Sequence, residues 1–241
     1  MAPMPEPPTL CLLPGLLCDA SVWEAQRAVL GRDRPVFTPD LLGLKSFETM
    51  ARRVLEATTG PIWVAGHSMG GRVALEVWRL GGARVQGLAL IDTGAHGLQE
   101  GEAGPRLELV RRAWAEGMEV VADAWLPPML HPSRLDDRPL VDSLRAMICR
   151  ATPEQFEGQQ RALIERPDAT GYLPRIACPT AVICGREDSW STLERHQAMA
   201  AAIPGATLTV IEVCGHMSTV ERPAEITAAL EVWLEAAAKT V

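Results

Sequence analysis

Short apolar runs recur along the chain, and turn-forming or charged residues follow each of them. The runs are brief, apolar on both faces and often β-branched, which is typical of strands buried in a parallel sheet. We therefore predict strands at residues 10–13, 36–37, 62–65, 88–91, 181–184 and 208–211.

Between these runs lie segments whose apolar positions repeat with the period of a helix. Residues 20–30 have this spacing, and residues 47–57 and 72–80 carry similar patterns. Strands that alternate with helices in this way predict an α/β fold with a doubly wound, mostly parallel sheet.

Residues 96–175 break the alternation, because they contain helical patterns but no convincing strand. We predict that they form a helical cap inserted into an α/β core made of residues 1–95 and 176–241. The alternative is that they form a second independent domain, although no linker-like composition flanks them.

Helix starts can be placed by their capping residues. Thr152, Pro153 and Gln155 combine an N-cap, a proline at the first helical position and a reciprocal capping glutamine, which predicts a helix to about residue 166. Residues 191–194 carry a second capping-box pattern, and Pro223 opens a final helix that should end near residue 238. Further helices are predicted at residues 106–115 and 140–149.

Composition and charge exclude several classes of protein. The chain is 47% hydrophobic and 22% charged, as in ordinary globular proteins, and its net charge of −7 argues against nucleic acid as a partner. The first residues lack an early Lys or Arg, and Pro14 and Gly15 interrupt their apolar stretch, so we expect neither a signal peptide nor a membrane span. We therefore expect a cytoplasmic protein whose six scattered cysteines are reduced and structural.

The sequence GHSMG at residues 66–70 lies between a predicted strand and a predicted helix. A serine flanked at two positions by glycine, on a sharp strand-to-helix turn, has the pattern of a nucleophile elbow. Gly66 and Gly70 leave room for the turn, and the turn lifts the hydroxyl of Ser68 to the N-terminus of the next helix. Ser68 is therefore the candidate nucleophile.

A serine hydroxyl needs a base, because it is almost fully protonated near neutral pH. His216 follows the strand predicted at 208–211, where a loop at the carboxyl end of one strand can reach the elbow after another. His67 is expected to pack beside the elbow. The other three histidines, His96, His131 and His196, lie in the predicted cap or within a helix.

The base in turn needs an acid that fixes its tautomer and stabilises the imidazolium. Asp188, in the loop after the strand at 181–184, is the preferred candidate; Glu187 beside it and Asp92 after the strand at 88–91 are alternatives. The order Ser68, Asp188, His216 is the one found in α/β-hydrolases.

Attack on a carbonyl creates an oxyanion that needs preorganised hydrogen-bond donors. The amide of Met69, at the start of the helix after the elbow, is one candidate. The amide of Leu16, in the glycine-containing loop after the first strand, is the other; a plain turn is the alternative there.

With these residues in place, the chain resembles the α/β-hydrolase superfamily, in particular small helical-cap carboxylesterases, enol-lactonases and carbon–carbon bond hydrolases. LLPGLLCDASVW, VAGHSMGGRVALEV, LALIDTG, CPTAVICGREDS and IEVCGHMSTVERP occur in that family's order. The resemblance implies a Ser68, Asp188 and His216 triad with the Leu16 and Met69 amides as oxyanion hole. It also implies acyl transfer from a small-molecule ester or thioester, with no metal or organic cofactor. Many members have His-Gly where this chain has Pro14-Gly15, which puts any role of that histidine in doubt.

The substrate pocket is less well defined by sequence. Large or flexible apolar side chains of the cap can line it, although such residues also pack cap helices together. The candidates are Trp114, Trp125, Met129 and Met147. Several cap arginines would favour a substrate with a carboxylate if one or two of them turned inward.

Three functions compete. The first is ester hydrolysis by a monomer or homodimer that binds neither nucleic acid nor membrane. The second uses the same triad for pyruvate elimination or for carbon–carbon bond hydrolysis. SMGGRVAL resembles the menaquinone-pathway synthase that eliminates pyruvate, in which arginines bind the acidic substrate. Arg72 would serve there, although a surface ion pair is the favoured interpretation of Arg72. A ligand receptor that turns over negligibly is the third, and the strained elbow argues against it.

Overall fold

The computed structural model describes residues 8–239 of the chain. Residues 1–7 and 240–241 lie outside the described residues. Both stretches belong to the predicted core range, and residues 1–7 are also part of the N-terminal stretch in which no signal peptide is expected. Within residues 8–239, no helix is both long enough and apolar enough to cross a bilayer. The six cysteines are all free thiols.

The described residues form a parallel sheet of six strands in the order β2-β1-β3-β4-β5-β6. All six predicted strands are confirmed, most of them one to three residues longer than the apolar run alone. The strands are β1 (Thr9–Leu13), β2 (Val36–Phe37), β3 (Ile62–His67), β4 (Val85–Ile91), β5 (Thr180–Gly185) and β6 (Thr207–Ile211). The central strands β3 and β5 are buried on both faces, which explains why their residues are apolar without alternation.

The strand order places the predicted catalytic loops next to one another. From β1 the chain passes to β2 on one side and then returns to β3 on the other, so the carboxyl ends of β1 and β3 flank the switch point of the sheet. Ligands of open α/β sheets bind at such a point. The loop after β1 and the elbow after β3 therefore meet there, with Leu13 in register with Gly66.

Ten α-helices connect or follow the strands among the described residues. They are α1 (Glu24–Leu30), α2 (Phe47–Ala57), α3 (Met69–Gly81), α4 (Ala103–Glu116), α5 (Met118–Trp125), α6 (Arg138–Cys149), α7 (Pro153–Ile164), α8 (Leu193–Ala202), α9 (Ser218–Glu221) and α10 (Pro223–Ala238). The capping box at Thr152 is present with both of its hydrogen bonds. The final helix begins and ends where it was predicted.

The second predicted capping box is wrong. Helix α8 begins at Leu193 with Thr192 as its N-cap, and no side chain caps it. The amide of Ser191 instead donates to Oδ1 of Asp188 (2.9 Å), so this residue belongs to the loop of the candidate acid. The loop's hydrogen bonds thus override a local helix signal.

The segment between β4 and β5 carries α4 to α7 and no strand, and all of its residues are described. Helices α4 and α7 pack on each other, as do α5 and α6. The division of the chain into cap and core at particular residues stays a prediction.

Candidate active site

Ser68 is the single residue between β3 and α3. Its backbone has φ 55° and ψ −118°, a strained conformation for a residue with a side chain. A Cβ on Gly66 would lie 2.2 Å from the carbonyl oxygen of Gly70, and a Cβ on Gly70 would lie 2.2 Å from that of Leu13. Only glycine therefore fits either flank of this turn.

Strained backbone is concentrated at the same edge of the sheet. Among the described residues, the non-glycine residues with positive φ are Leu17, Ser68, Asp92 and Val213. Each lies in the loop that follows a different strand, namely β1, β3, β4 and β6. Such strain persists where the surrounding structure holds it, and it is common at active sites.

Three predicted residues come together at this edge. Nε2 of His216 lies 2.7 Å from the hydroxyl oxygen of Ser68. Nδ1 of the same ring lies 2.8 Å from Oδ2 of Asp188. Donation from Nδ1–H to the carboxylate leaves Nε2 free to accept the serine proton, which is the arrangement that a serine nucleophile requires.

The environment of Asp188 favours its charged form. Burial by itself would raise the pKa of this carboxyl. The charge and hydrogen bond of His216, together with hydrogen bonds from the amides of Trp190 (2.8 Å) and Ser191 (2.9 Å), outweigh burial, so the pKa lies below its usual value. Glu187, the neighbouring alternative, accepts from the amide of Cys214 (2.9 Å) and does not contact the histidine ring.

The partner carboxylate acts on His216 in the opposite direction. Burial alone would lower the pKa of this imidazole, but the charge and hydrogen bond of Asp188 outweigh burial. The pKa therefore lies above 6.5. The structure thus stabilises the imidazolium form that a general base passes through.

A second carboxyl, Asp92, lies behind the first. It is fully buried; Oδ1 accepts from the amide of Gly185 (2.9 Å), and Oδ2 is hydrogen-bonded to Ser218 Oγ and lies 3.6 Å from Nε2 of His67. Burial and the negative charge of Asp188 raise the pKa of Asp92 to about 8, so it holds a proton at neutral pH. This alternative acid therefore braces the ends of β4 and β5.

His67 does more than pack beside the elbow, because it is hydrogen-bonded to the backbone of His216. Its Nε2 donates to the carbonyl oxygen of His216 (2.7 Å), and burial is the main cause that lowers its pKa to about 4. A neutral His67 therefore holds the backbone of the residue that contacts Ser68.

The amides of Leu16 and Met69 are the predicted oxyanion-hole donors, and this assignment stays a prediction. Both residues line the cavity at Ser68, and neither amide donates to another group within residues 8–239. Gln159 of α7 holds the Leu16 loop, because it accepts from the amide of Leu17 (2.9 Å) and donates to the carbonyl of Leu41 (3.2 Å).

The cavity in front of Ser68, here called the inner cavity, has a volume of about 70 Å³ and lies next to an outer cavity of about 690 Å³. Two of the four predicted pocket residues, Trp125 and Met129, line the inner cavity. The other two lie elsewhere. Trp114 is 57% exposed and donates to Glu157, because its neighbour Ala113 takes the inward face of α4; Met147 is buried against Ser21.

Several residues at the inner cavity were not predicted as site residues, or were interpreted differently. Arg72 was expected to form a surface ion pair, which is wrong: it lines the inner cavity, where it donates to the carbonyl of His96 (2.7 Å), and it has no carboxylate partner among residues 8–239. His96 and Arg195 line the cavity as well. The position of Arg72 four residues after Ser68 was the only signal available in the sequence.

Comparison with known proteins identifies the class. The model of the alpha/beta hydrolase family matches residues 12–230, so the chain belongs to the alpha/beta hydrolase family. Relatives of the chain are named as hydrolases and esterases, which indicates that it is an enzyme.

Three individual proteins are similar to the chain. The solved structure of a thermophilic esterase from Thermogutta terrifontis, with malate bound, superposes with a TM-score of 0.90 and 32% identity and covers 96% of this chain and 91% of the esterase. RutD of Stutzerimonas stutzeri (strain A1501), whose name assigns it carbamate hydrolysis, is 28% identical over 90% of this chain and 87% of its own length. The 2-succinyl-6-hydroxy-2,4-cyclohexadiene-1-carboxylate synthase of Salmonella newport (strain SL254) is 29% identical over 68% of this chain and 64% of its own length.

Proposed function

We propose that this protein is a serine hydrolase that cleaves a carboxylic ester or thioester of a small to medium acyl substrate. The observation that carries the proposal is the line of contacts from the Ser68 hydroxyl to Nε2 of His216 (2.7 Å) and from Nδ1 to Asp188 (2.8 Å). The similarity to a thermophilic esterase over 96% of the chain supports it.

The proposed reaction has two halves. In the first, Ser68 Oγ attacks the acyl carbon while His216 takes its proton, and the oxyanion accepts hydrogen bonds from the Leu16 and Met69 amides. The bond to the alcohol or thiol then breaks, and the imidazolium returns the proton to the leaving group. In the second half, His216 activates water, which releases the acid and restores the serine hydroxyl.

Asp188 has a positioning part in this scheme. Its carboxylate keeps the proton of His216 on Nδ1 and stabilises the imidazolium that forms in each half-reaction. His216 mediates both proton transfers: it carries the proton of Ser68 to the leaving group, and then a proton of the attacking water back to Ser68.

Covalent labelling tests the proposal. A fluorophosphonate should phosphonylate the purified protein, with the adduct on Ser68 located by peptide mass spectrometry, and Ser68→Ala should abolish both labelling and hydrolysis of 4-nitrophenyl esters, by about 10⁴-fold or more. Ser189→Ala, an exposed serine near the outer cavity, is the matched control and should label normally. A wild-type protein without an adduct on Ser68 would contradict the proposal.

A second candidate uses the same triad as a base for elimination. It is favoured by Arg72, which places a positive charge in the inner cavity, and by the similarity to the cyclohexadiene-carboxylate synthase. Pyruvate release from that relative's substrate, followed with a coupled dehydrogenase assay, tests it. Elimination without hydrolysis of any 4-nitrophenyl ester would favour the second candidate over the first.

A further inference from the structure

The two cavities at Ser68 differ tenfold in size. The inner one, next to the serine hydroxyl, has about 70 Å³, whereas the outer one has about 690 Å³. The two cavities lie side by side, because five residues line both of them, namely Glu102, Arg106, Trp125, Trp190 and Arg195. Since one water occupies roughly 10–15 Å³ of such volume, the inner cavity holds on the order of five to seven non-hydrogen atoms.

Positive charge is concentrated at the inner cavity, although the whole chain carries a net charge of −7. Arg72, Arg106 and Arg195 line it, and Glu102 is the one carboxylate that does. Glu102 is already shared between Arg106 (2.7 Å) and Arg166 (2.6 Å). Arg72 and Arg195 have no carboxylate partner within residues 8–239.

The positive charge of these arginines, together with burial, shifts the pKa values of the groups around the inner cavity. Burial and the nearby arginines lower the pKa of His96 to about 4, so it is neutral. Burial would raise the pKa of Glu102, but hydrogen bonds from Arg166 and Arg106 lower it to about 2. Burial, with a contribution from Arg166, lowers the pKa of Arg72 to about 9, so the guanidinium is still protonated at neutral pH.

The position of Arg72 is fixed relative to the nucleophile. Ser68 is the N-cap of α3 and Arg72 lies in the first turn of that helix, where its amide donates to the carbonyl of Ser68 (3.4 Å), and both residues line the inner cavity. The carbonyl of His96 accepts one N–H of this guanidinium, and the ring of His96 lies 3.4 Å from Nη2. A guanidinium has five N–H donors, so donors remain for a ligand.

Building on the proposed function, we infer that the preferred substrate is a monoester or monothioester of a short dicarboxylic acid. Its free carboxylate binds Arg72, with Arg195 as a second contact. Its acyl chain fills the inner cavity, and its alcohol or thiol part lies in the outer cavity. The size of the inner cavity limits the acid to about four carbons.

The two ends of the substrate would be recognised in different ways. A carboxylate between guanidiniums forms charge-assisted hydrogen bonds, which fix the acyl group beside Ser68. The outer cavity offers Trp125, Trp190 and Leu109 as apolar surface and tolerates larger groups.

The test compares a charged and a neutral ester of similar shape. In a pH-stat, monoethyl succinate should be hydrolysed with at least a tenfold higher kcat/KM than ethyl pentanoate. Arg72→Met should lower kcat/KM for monoethyl succinate about 10- to 100-fold, chiefly through KM, and leave ethyl pentanoate within about threefold. Arg72→Lys should restore part of the preference, and Arg195→Met should have a smaller effect because that side chain is exposed.

The control variant is Arg145→Met, which removes an arginine of α6 that pairs with Asp123 (3.0 Å) and lines neither cavity. It should leave the ratio of the two esters unchanged. Equal losses on both esters in Arg72→Met would mean that Arg72 only supports the loop at His96, and the inference would be wrong.

Chain length tests the assignment of the two cavities. Lengthening the acid from succinate to suberate should lower kcat/KM at least tenfold, whereas replacing the ethyl group by benzyl should not. The opposite pattern would overturn the assignment.

Binding separates failure of this inference from failure of the proposed reaction. Succinate should raise the Tm of Ser68→Ala and should not raise that of the double variant Ser68→Ala/Arg72→Met. Succinate binding without hydrolysis of any ester leaves the carboxylate site standing and rejects the reaction. Hydrolysis of neutral esters, without succinate binding and without preference for the half-ester, would reject the carboxylate site and leave the proposed reaction standing.

Discussion

Ser68 lies between two charged regions that are built in different ways. Behind it, Asp188 and Asp92 are buried and each accepts hydrogen bonds from the ends of neighbouring loops and strands. In front of it, Arg72 and Arg195 line an open cavity and have no carboxylate partner within residues 8–239. The carboxyl groups are satisfied by the protein itself, whereas the arginines retain donors. In the proposed mechanism the first region therefore orients His216, and the second receives the substrate.

The rear region also shows how position separates two similar groups. Asp188 is held ionised by His216 and two amides, whereas Asp92, without a cation in direct contact, holds a proton at neutral pH. Carboxyl groups with pKa values pushed apart in this way have distinct tasks.

The largest expected effect comes from Asp188→Asn. An amide at this position cannot stabilise the imidazolium and favours the wrong tautomer of His216, so kcat/KM for a neutral 4-nitrophenyl ester should fall by about 10³- to 10⁴-fold. Glu187→Gln is the adjacent control and should stay within threefold. A comparable loss in both variants would point to a disordered loop rather than to a missing acid.

The second-largest expected effect is on stability, from removal of the carboxylate of the arginine cluster in front of Ser68. Glu102→Gln leaves the buried Arg166 without its charged partner, although three carbonyls still accept from that guanidinium. We expect the free energy of unfolding to fall by about 2 kcal/mol in urea titrations. Glu108→Gln removes an exposed pair with Arg111 and should leave the free energy of unfolding nearly unchanged. Equal changes would mean that the front cluster contributes no more than a surface pair.

The fall of kcat/KM at low pH tests whether Asp188 sets the pKa of His216. The reaction needs neutral His216, whose pKa is raised above 6.5 by Asp188, so kcat/KM should fall about tenfold per pH unit below that raised value. Asp188→Asn removes the carboxylate that raises this pKa, so its residual activity should have a limb displaced to lower pH. A limb that stays in place in Asp188→Asn would show that the carboxylate does not set the pKa of His216.

The smallest expected change is in the activity of Asp92→Asn, which should stay within threefold because an amide reproduces the hydrogen bonds of the protonated carboxyl. Stability should change with pH instead. In the folded wild type this group keeps its proton up to a pKa of about 8, whereas its value of 3.8 applies to the unfolded chain, so wild-type stability falls as pH rises between these limits. The variant lacks this dependence, and denaturation at pH 5 and pH 8 measures the difference. A parallel pH dependence in both proteins would mean that Asp92 is ionised at neutral pH.

The sequence was most informative where structure is local. Apolar runs predicted all six strands, and the small residues at Gly66 and Gly70 marked a turn that no side chain fits. Thr152 and Gln155 marked a helix start because both partners of the capping box are neighbours in the chain. These features depend on sterics and hydrogen bonds within a few residues.

The rest depends on contacts between distant segments. Arg72 faces a cavity because His96, from the loop after β4, accepts its N–H, and no local pattern could distinguish this from a surface ion pair. Helix α5 was not predicted, and Gly117, at φ 92°, separates it from α4. Trp114 and Trp125 looked equivalent as cap residues, yet the packing of α4 exposes one and that of α5 buries the other.

Gln159 links helix α7 to the loop that follows β1. Its side chain joins α7 to the backbone beside Leu16, and the same amide group reaches Leu41. If α7 swung away from the sheet, it would pull this tether and disturb the donor that stabilises the oxyanion. We therefore expect α7 to stay in place during turnover, while substrate and product enter and leave through the outer cavity.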